Sequence, residues 1–292
     1  MKISILMAVK NEENYVKKAI ESICNQEDVD FELIVVDDGS TDNTYAIVKS
    51  LQSLDNRLTV FKSSGSGKNA AFNMAFQNSN GDAICLFAGD DIMPKGSLAE
   101  RRTVFDKENG SAIVLSKMKT VSDQRSMNNI VIPKGTGRAS TSGASPLMPK
   151  IICDRIFPIP EILPNEDTWI DLYLSYFFEA ELYHTDIICC YWRIHAGNSI
   201  SHSQSFEKYS EAYATRASAI KLFAHLNLLK LNNSQVQSVC SRILLEHYRM
   251  HKSWMWILMS KTSMLDKMRA IVNSSSVLYF VRQKLYRLTS GW

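Results

Sequence analysis

Along residues 1–201 short apolar runs alternate with segments whose apolar residues recur every three or four positions. Lys2 to Val9 reads as a short buried strand, and Glu12 to Cys24 follows with Val16, Ile20 and Ile23 at helical spacing. Phe31 to Val36 predicts a second strand, closed by Asp37-Asp38-Gly39-Ser40-Thr41. Ser40 or Thr41 is placed to cap a helix from about Asp42 to Leu54. A strand at Leu58 to Lys62, a Gly/Ser loop at 63–67, a helix over Asn69 to Asn78 and a strand at Ala83 to Phe87 continue the alternation. Repeated strand–helix units of this kind build an α/β fold, with a doubly wound, mainly parallel sheet flanked by helices. Ligands bind such sheets beyond the carboxyl ends of the strands, so the loops after Val9, Val36, Lys62 and Phe87 are expected around one site.

The pattern then predicts a helix over Lys95 to Phe105, a strand at Ala112 to Met118, a helix over 166–180 and a strand at Tyr183 to Trp192. Residues 134–146, with three Gly and five Ser or Thr, read as a loop. Beyond about 205 strand signals stop and long helical patterns take over. Charge changes sign at nearly the same place: residues 1–201 carry 20 Lys/Arg against 26 Asp/Glu, and residues 202–292 carry 13 against 4. The net charge of +3 conceals an acidic body and a basic tail, which sets the expected domains at 1–205 and 206–292.

At 292 residues, 45% hydrophobic and 22% charged, the chain is not a disordered, collagenous or disulfide-stapled protein. The N-terminal apolar run stops at Lys10 and Asn11, before a signal-peptide core forms. Stretches such as Trp254 to Met259 fall far short of the roughly 18–20 residues that span a bilayer. The six cysteines show no CxxC pairing and no His at zinc-ligand spacing. Together these features predict a reduced, cytoplasmic protein.

Asp37-Asp38 and Asp90-Asp91 each stand at or just beyond the end of a predicted buried strand. Four carboxylates on one rim repel unless a hard cation or hydrogen-bond donors lie between them. A diphosphate carrying Mg²⁺ or Mn²⁺ satisfies that requirement, since the metal takes carboxylate and phosphate oxygens and neutralises a leaving group. The plainer alternative is that Asp and Gly only terminate strands and form turns.

The blocks KISILMAVKNEENYVKKAIESICNQ, FELIVVDDGSTDNT, GDAICLFAGDDIMPKGSL, PNEDTWIDLYL and YWRIHAGNSIS stand in the order found in the family 2 glycosyltransferases. The chain resembles that GT-A-fold, nucleotide-sugar-dependent family over about residues 2–201. The resemblance implies that Ala8, Val9, Lys10 and Glu12 line the nucleobase pocket, that Asp38 bonds the base or ribose, and that Lys68 contacts the donor. Asp90 and Asp91 occupy the position of the family's metal-binding motif. Ala88 stands where many members carry a further Asp, and Phe72 where members often carry Arg.

Sequence physics alone reads Glu166-Asp167, after Pro164-Asn165, as a helix-start pair favoured by the dipole. The resemblance makes Asp167 the general base of an inverting transfer, with Glu166 beside it. Arg193 and His195 alternate at the end of a predicted strand and so project from one face. They match the family's RxH block, Arg193 for diphosphate and His195 for metal. The Ser-, Gly- and Asn-rich segment 196–205 reads as a lid over bound donor.

In the tail, Met264, Leu265, Met268, Ile271 and Val272 form one apolar stripe, and Val277, Leu278, Val281, Leu285 and Leu288 a second, both flanked by Lys and Arg. With Trp254 to Ile257 nearby, this predicts either contact with an anionic membrane or packing against the body or a second subunit. No basic-aromatic platform accompanies the charge, so nucleic acid is not an expected partner. The expected function is a metal-dependent inverting glycosyltransferase acting on a glycan or lipid-linked saccharide in cell-surface polysaccharide synthesis, peripheral on the inner face of the membrane. Two rivals remain: a sugar nucleotidyltransferase, whose Gly-rich basic loop after the first strand is missing, and a non-catalytic nucleotide- or glycan-binding descendant.

Overall fold

The computed structural model describes residues 1–123, 125–195 and 205–289. Contacts within the chain divide the described residues into two units, 1–195 and 205–289. Residues 196–204, which hold most of the expected lid, lie outside the described ones.

In the first unit β1 (Lys2–Val9), α1 (Val16–Cys24), β2 (Asp30–Asp37), α2 (Thr44–Gln52), β3 (Leu58–Lys62), α3 (Lys68–Gln77), β4 (Ala83–Ala88) and α4 (Ser97–Lys107) alternate as the pattern predicts. The four strands are parallel in the order β3-β2-β1-β4, and the two-residue β7 (Met148–Pro149) adds antiparallel to β4. β1 lies between β2 and β4 and is covered on both faces, which is why its sequence is almost unbroken in apolar residues. Its buried Ser4 is satisfied, donating to Glu32 Oε1 at 2.6 Å and accepting the Gly81 N–H at 2.8 Å. Val9 aligns with Asp37, and Ala8 with both Val36 and Ala88, so three strands end level. The functional loops leave from that edge.

The later strands do not extend this sheet. β5 (Ile113–Val121) pairs in parallel with β8 (Leu182–Arg193) and antiparallel with β6 (Val131–Ile132), making a second sheet. Register shifts between Leu115 and Met118 re-aim β8. A bridge from Ile92 to Tyr191 ties the loop after β4 to β8. α5 (Lys150–Ile156) precedes α6 (Asp167–Phe177); no periodic pattern announces the seven-residue α5.

One local expectation is corrected. α2 begins at Thr44 because Ser40 and Thr41 serve a different loop: the Ser40 Oγ accepts the Asn11 N–H at 3.0 Å, and Thr41 N–H donates to Asn11 Oδ1 at 2.8 Å. Residues 134–146 form a loop as expected, but one partly packed inside, with Ala139, Ala144 and Ser145 buried.

The second unit is helical: α7 (Phe206–Asn227), α8 (Asn233–Met250), α9 (Trp254–Met259), α10 (Met264–Val272) and α11 (Ser276–Thr289). α8 opens with a capping box, Asn232 and Gln235 satisfying each other's backbone N–H. Arg249 is 1% exposed and fixes the bundle. It grips Glu246 through Nε and Nη2 at 2.7 and 2.6 Å, donates to Ser210 Oγ and Asn273 O at 3.0 Å, and lies 4.8 Å from the centre of the Tyr213 ring. A small core of Leu245, Ile257 and Ala270, with Tyr248 and Ile271, packs beside it. The first predicted stripe therefore splits: Ile271 reaches this core, while Met264, Leu265 and Met268 are exposed.

Arg249→Ala strands the Glu246 carboxylate in the interior, a change that costs about 3–5 kcal/mol. Urea unfolding followed at the tryptophans of the helical unit is expected to show that loss. An unchanged midpoint would remove Arg249 as its keystone.

Candidate active site

The level ends of β1, β2 and β4 bring the predicted acidic loops together. The loop after β1 is fastened to the loop after β2: Glu12 N–H donates to Thr44 Oγ1 at 2.7 Å, and Asn43 donates through N–H and Nδ2 to Glu13 Oε2 at 3.0 and 2.8 Å. Asn11, at φ 55°, turns the chain for this contact. Ala8 and Val9 are buried at the strand end, and the Val9 carbonyl accepts the Asp38 N–H at 2.9 Å. The Asp38 carboxylate accepts from Ser63 Oγ at 2.7 Å and Gly67 N–H at 3.1 Å, with Lys10 Nζ 3.6 Å away. Asp37 is fully buried and accepts the Ser40 N–H at 3.2 Å, closing its own loop.

The structure separates the two aspartates after β4. Asp91 turns inward, where Oδ1 accepts the Arg193 N–H at 2.8 Å and Oδ2 faces the Cys190 thiol at 3.3 Å. Burial and the neighbouring Asp90 charge push its pKa up to about 7. Both Asp91 oxygens, expected at the metal, thus meet donors of the protein itself. Asp90 carries the outward role: its Oδ2 is 3.1 Å from His195 Nε2, and its carbonyl accepts from Arg193 Nε at 2.8 Å. Tyr15 packs against both partners, 4.6 Å from the His195 ring and 4.8 Å from the Arg193 guanidinium.

Glu12, expected in the nucleobase pocket, lies under Gly89, where a Cβ would overlap its Oε2. That oxygen is buried without a hydrogen-bond partner, and burial followed by the Asp90 charge lifts the carboxyl to about 8.

On the other side, Lys68 Nζ reaches Glu166 Oε1 at 2.7 Å, and its ammonium is also under the charge of Asp167 and Asp90. Burial pushes the Glu166 carboxyl up against the pull of Lys68. Phe72 is core, with Lys68 Nζ 5.5 Å above its ring, so this position supports Lys68 through an aromatic face. Asp167 accepts the Gly143 N–H at 2.7 Å, and Asp171 accepts the Thr141 hydroxyl at 2.6 Å. Gly143, at φ +63°, belongs to the 134–146 loop, which is pinned from behind. Arg101, without solvent exposure, donates to the Ser145 carbonyl at 2.8 Å, and Ser145 Oγ accepts the Ser116 N–H at 2.9 Å. Sequence reasoning missed Tyr15, Gly143, Thr141 and the Arg101–Ser145 anchor. Only the Gly/Ser composition of 134–146 marked the loop at all.

Residues 4–143 match the sequence model of glycosyl transferase family 2. The N-terminal unit belongs to that family. An uncharacterized glycosyltransferase of Nostoc sp. is 25% identical over 241 residues, 76% of this chain and 73% of that protein. The Staphylococcus aureus poly(ribitol-phosphate) beta-N-acetylglucosaminyltransferase TarS is 30% identical over 124 residues, 41% of this chain but 22% of that larger protein. The crystal structure of TarS residues 1–349 with UDP-GlcNAc superposes with a TM-score of 0.61 at 21% identity, over 97% of this chain and 81% of that one. A mannosyltransferase of Pyrobaculum calidifontis with GDP-Man and Mn²⁺ gives 0.54 at 13% identity, over 98% and 87%. The family 2 unit thus has the α/β fold its sequence predicts, a parallel sheet flanked by helices, followed by a helical region.

Ser145→Ala removes the acceptor of the buried Ser116 N–H, and is expected to cost about 1–3 kcal/mol. It should also speed amide hydrogen exchange at Gly143. Wild-type exchange at Gly143 in a folded variant would show that the anchor does not hold this loop.

Proposed function

We propose that the family 2 unit catalyses an inverting transfer of one sugar from a nucleoside diphosphate-sugar to a hydroxyl of a glycan or lipid-linked saccharide, in cell-surface polysaccharide synthesis. The observation that carries this reading is the convergence on one rim of a nucleoside-side aspartate (Asp38), a carboxylate–imidazole pair (Asp90 with His195) and a fixed carboxylate at a helix start (Asp167). Lys68, under the charges of Glu166, Asp167 and Asp90 together, links the last two.

The donor set fits a divalent cation that is shared with a diphosphate. Among the described residues no three His, Cys, Asp or Glu side chains are grouped to hold a metal by themselves. Asp90 and His195 offer two donors of the kinds that Mn²⁺ accepts, and diphosphate oxygens would complete the shell. A bound Mn²⁺ or Mg²⁺ would neutralise the charge that develops on the departing diphosphate. Arg193 lies against Asp90 and presents its guanidinium to the same anion, with Tyr15 beneath it. Lys10 and Asp38 hold the nucleoside end, next to the backbone of Ala8 and Val9.

Asp167 removes the proton of the attacking acceptor hydroxyl as the new bond forms at the anomeric carbon and the diphosphate leaves from the opposite face. Its Oδ1 is fixed by the Gly143 N–H, leaving Oδ2 for the acceptor. Glu166 acts through Lys68, which it keeps at the donor side of the base. TarS with UDP-GlcNAc and the Pyrobaculum enzyme with GDP-Man are proteins of similar fold that bind nucleotide sugars, which supports the donor class.

Donor hydrolysis and transfer, measured with Mn²⁺ against a panel of UDP- and GDP-sugars, test the reading, with the anomer of the product read by NMR. Asp167→Asn is expected to lower kcat about 10²–10⁴-fold and to leave donor affinity unchanged; full activity would remove Asp167 as base. Asp90→Asn should abolish the Mn²⁺ dependence of UDP-sugar binding in calorimetry. Asp91→Asn, by contrast, should act chiefly on stability.

A further inference from the structure

The helical unit carries a surface that sugar transfer does not use. α9, Trp-Met-Trp-Ile-Leu-Met, buries Ile257 completely, yet Met255 and Met259 are 65% and 67% exposed, and Trp254, Trp256 and Leu258 about half. Met264, Leu265 and Met268 of α10, which packs against α9, are 69%, 56% and 56% exposed. This many large apolar side chains exposed on two adjoining helices mark a contact surface, because isolated apolar side chains rather than clusters are the norm on soluble proteins.

The segment joining α9 to α10 also walls an open groove of about 430 Å³, whose lining includes Arg242, Lys261, Ser234, Ser238, Thr262 and Asp266. Two cations and several hydroxyls over one carboxylate form a setting for a phosphate group. The Asp266 carboxylate accepts the Ser263 hydroxyl at 2.6 Å and lies 3.8 Å from Arg269. Arg242 and Lys261 line the groove and Arg269 stands next to Asp266 on α10, while Glu246 is neutralised inside by Arg249. Lys267 donates to the Leu258 carbonyl at 2.8 Å, which keeps one cation at the edge of the exposed face.

We propose that this face docks on an anionic phospholipid membrane. Met255, Trp256, Met259 and Met264 enter the boundary between headgroups and acyl chains, and the Arg242–Lys261 groove takes a lipid phosphate. Tryptophan and methionine at the tip with a lysine and arginine fence is the composition of an interfacial anchor. A second copy of the chain is a poorer occupant, since a twofold contact would set these cations against their own like charges. No helix among the described residues is long and apolar enough to cross a membrane, so the contact is one of surface insertion. The inference rests on the helical unit alone and not on the transferase reading.

The test is sedimentation of the full chain with vesicles of two parts phosphatidylcholine to one part phosphatidylglycerol, against phosphatidylcholine alone. The wild type is expected to pellet with the anionic vesicles and to be released by salt. Arg242→Gln with Lys261→Gln should weaken binding about 30-fold, at about fivefold per cation. Met255→Glu with Met259→Glu, both at exposed positions, should abolish binding while circular dichroism shows an intact fold. Wild-type protein left in the supernatant, or variants that pellet like wild type, would overturn the proposal. A chain that binds inorganic phosphate but not vesicles would reduce the groove to a free-phosphate site. A dimer in sedimentation velocity that the Met→Glu pair dissolves, without vesicle binding, would give the face to a second copy.

Discussion

Carboxyl groups crowded on one sheet edge repel, and the strength of that repulsion grows as water is excluded. The level ends of β1, β2 and β4 impose this crowding on Glu12, Asp38, Asp90 and Asp91, and α6 adds Glu166 and Asp167. Most of these acids have been given a donor. Asp38 has Ser63, Gly67 and Lys10; Asp91 has the Arg193 amide; Glu166 has Lys68; Asp167 has the Gly143 amide. Buried oxygens of Glu12, Asp37 and Glu166 keep no hydrogen-bond partner, and Asp90 turns its carboxylate toward an imidazole. Part of the repulsion therefore stays unrelieved along this edge, including beside Asp90, where a metal and a diphosphate would reduce it.

The loops that hold these groups are fastened to one another rather than to solvent. Asn11, Glu13 and Thr44 join the first two, and Lys68 joins the third to α6. Asn73 exchanges hydrogen bonds with Ile159, donating to its carbonyl at 2.8 Å and accepting its N–H at 2.7 Å, which fixes the chain leading to Glu166. Behind Asp167 the chain of contacts runs through Gly143 and Ser145 to Arg101, a guanidinium fully buried in α4. A carboxylate set by a backbone amide keeps its orientation without a second titrating group.

The main sheet was legible because its strands are buried on both faces and its helices on one, and these two periods differ plainly from Ile3 to Phe87. The same logic failed where length or partnership, not period, decides. α5 has seven residues and β7 two, too few to display a period. Ser40 and Thr41 have the chemistry of helix caps, but Asn11, distant in sequence, takes both. Asp90 and Asp91 are identical side chains in adjacent positions, and only the course of β8 decides which faces inward. The role of Gly143 lies in its N–H, a group that every residue except proline carries, so no side-chain motif could have pointed to it.

The opposite charges of the two regions also acquire a local meaning. Screening limits a surface charge to a reach of about 10 Å at moderate ionic strength, so neither the whole-chain value of +3 nor the acidic surplus of residues 1–201 decides how the helical unit meets an anionic surface. What counts is the set of charges beside the exposed α9–α10 face. There Arg242, Lys261, Lys267 and Arg269 accompany the unburied carboxylate of Asp266, already engaged by Ser263. Burying Glu246 against Arg249 withdraws one charge of each sign while bracing the bundle. The pair that stabilises the helices therefore leaves the balance of charge on their outer face unchanged, and the cationic surplus there comes from residues that take no part in the packing.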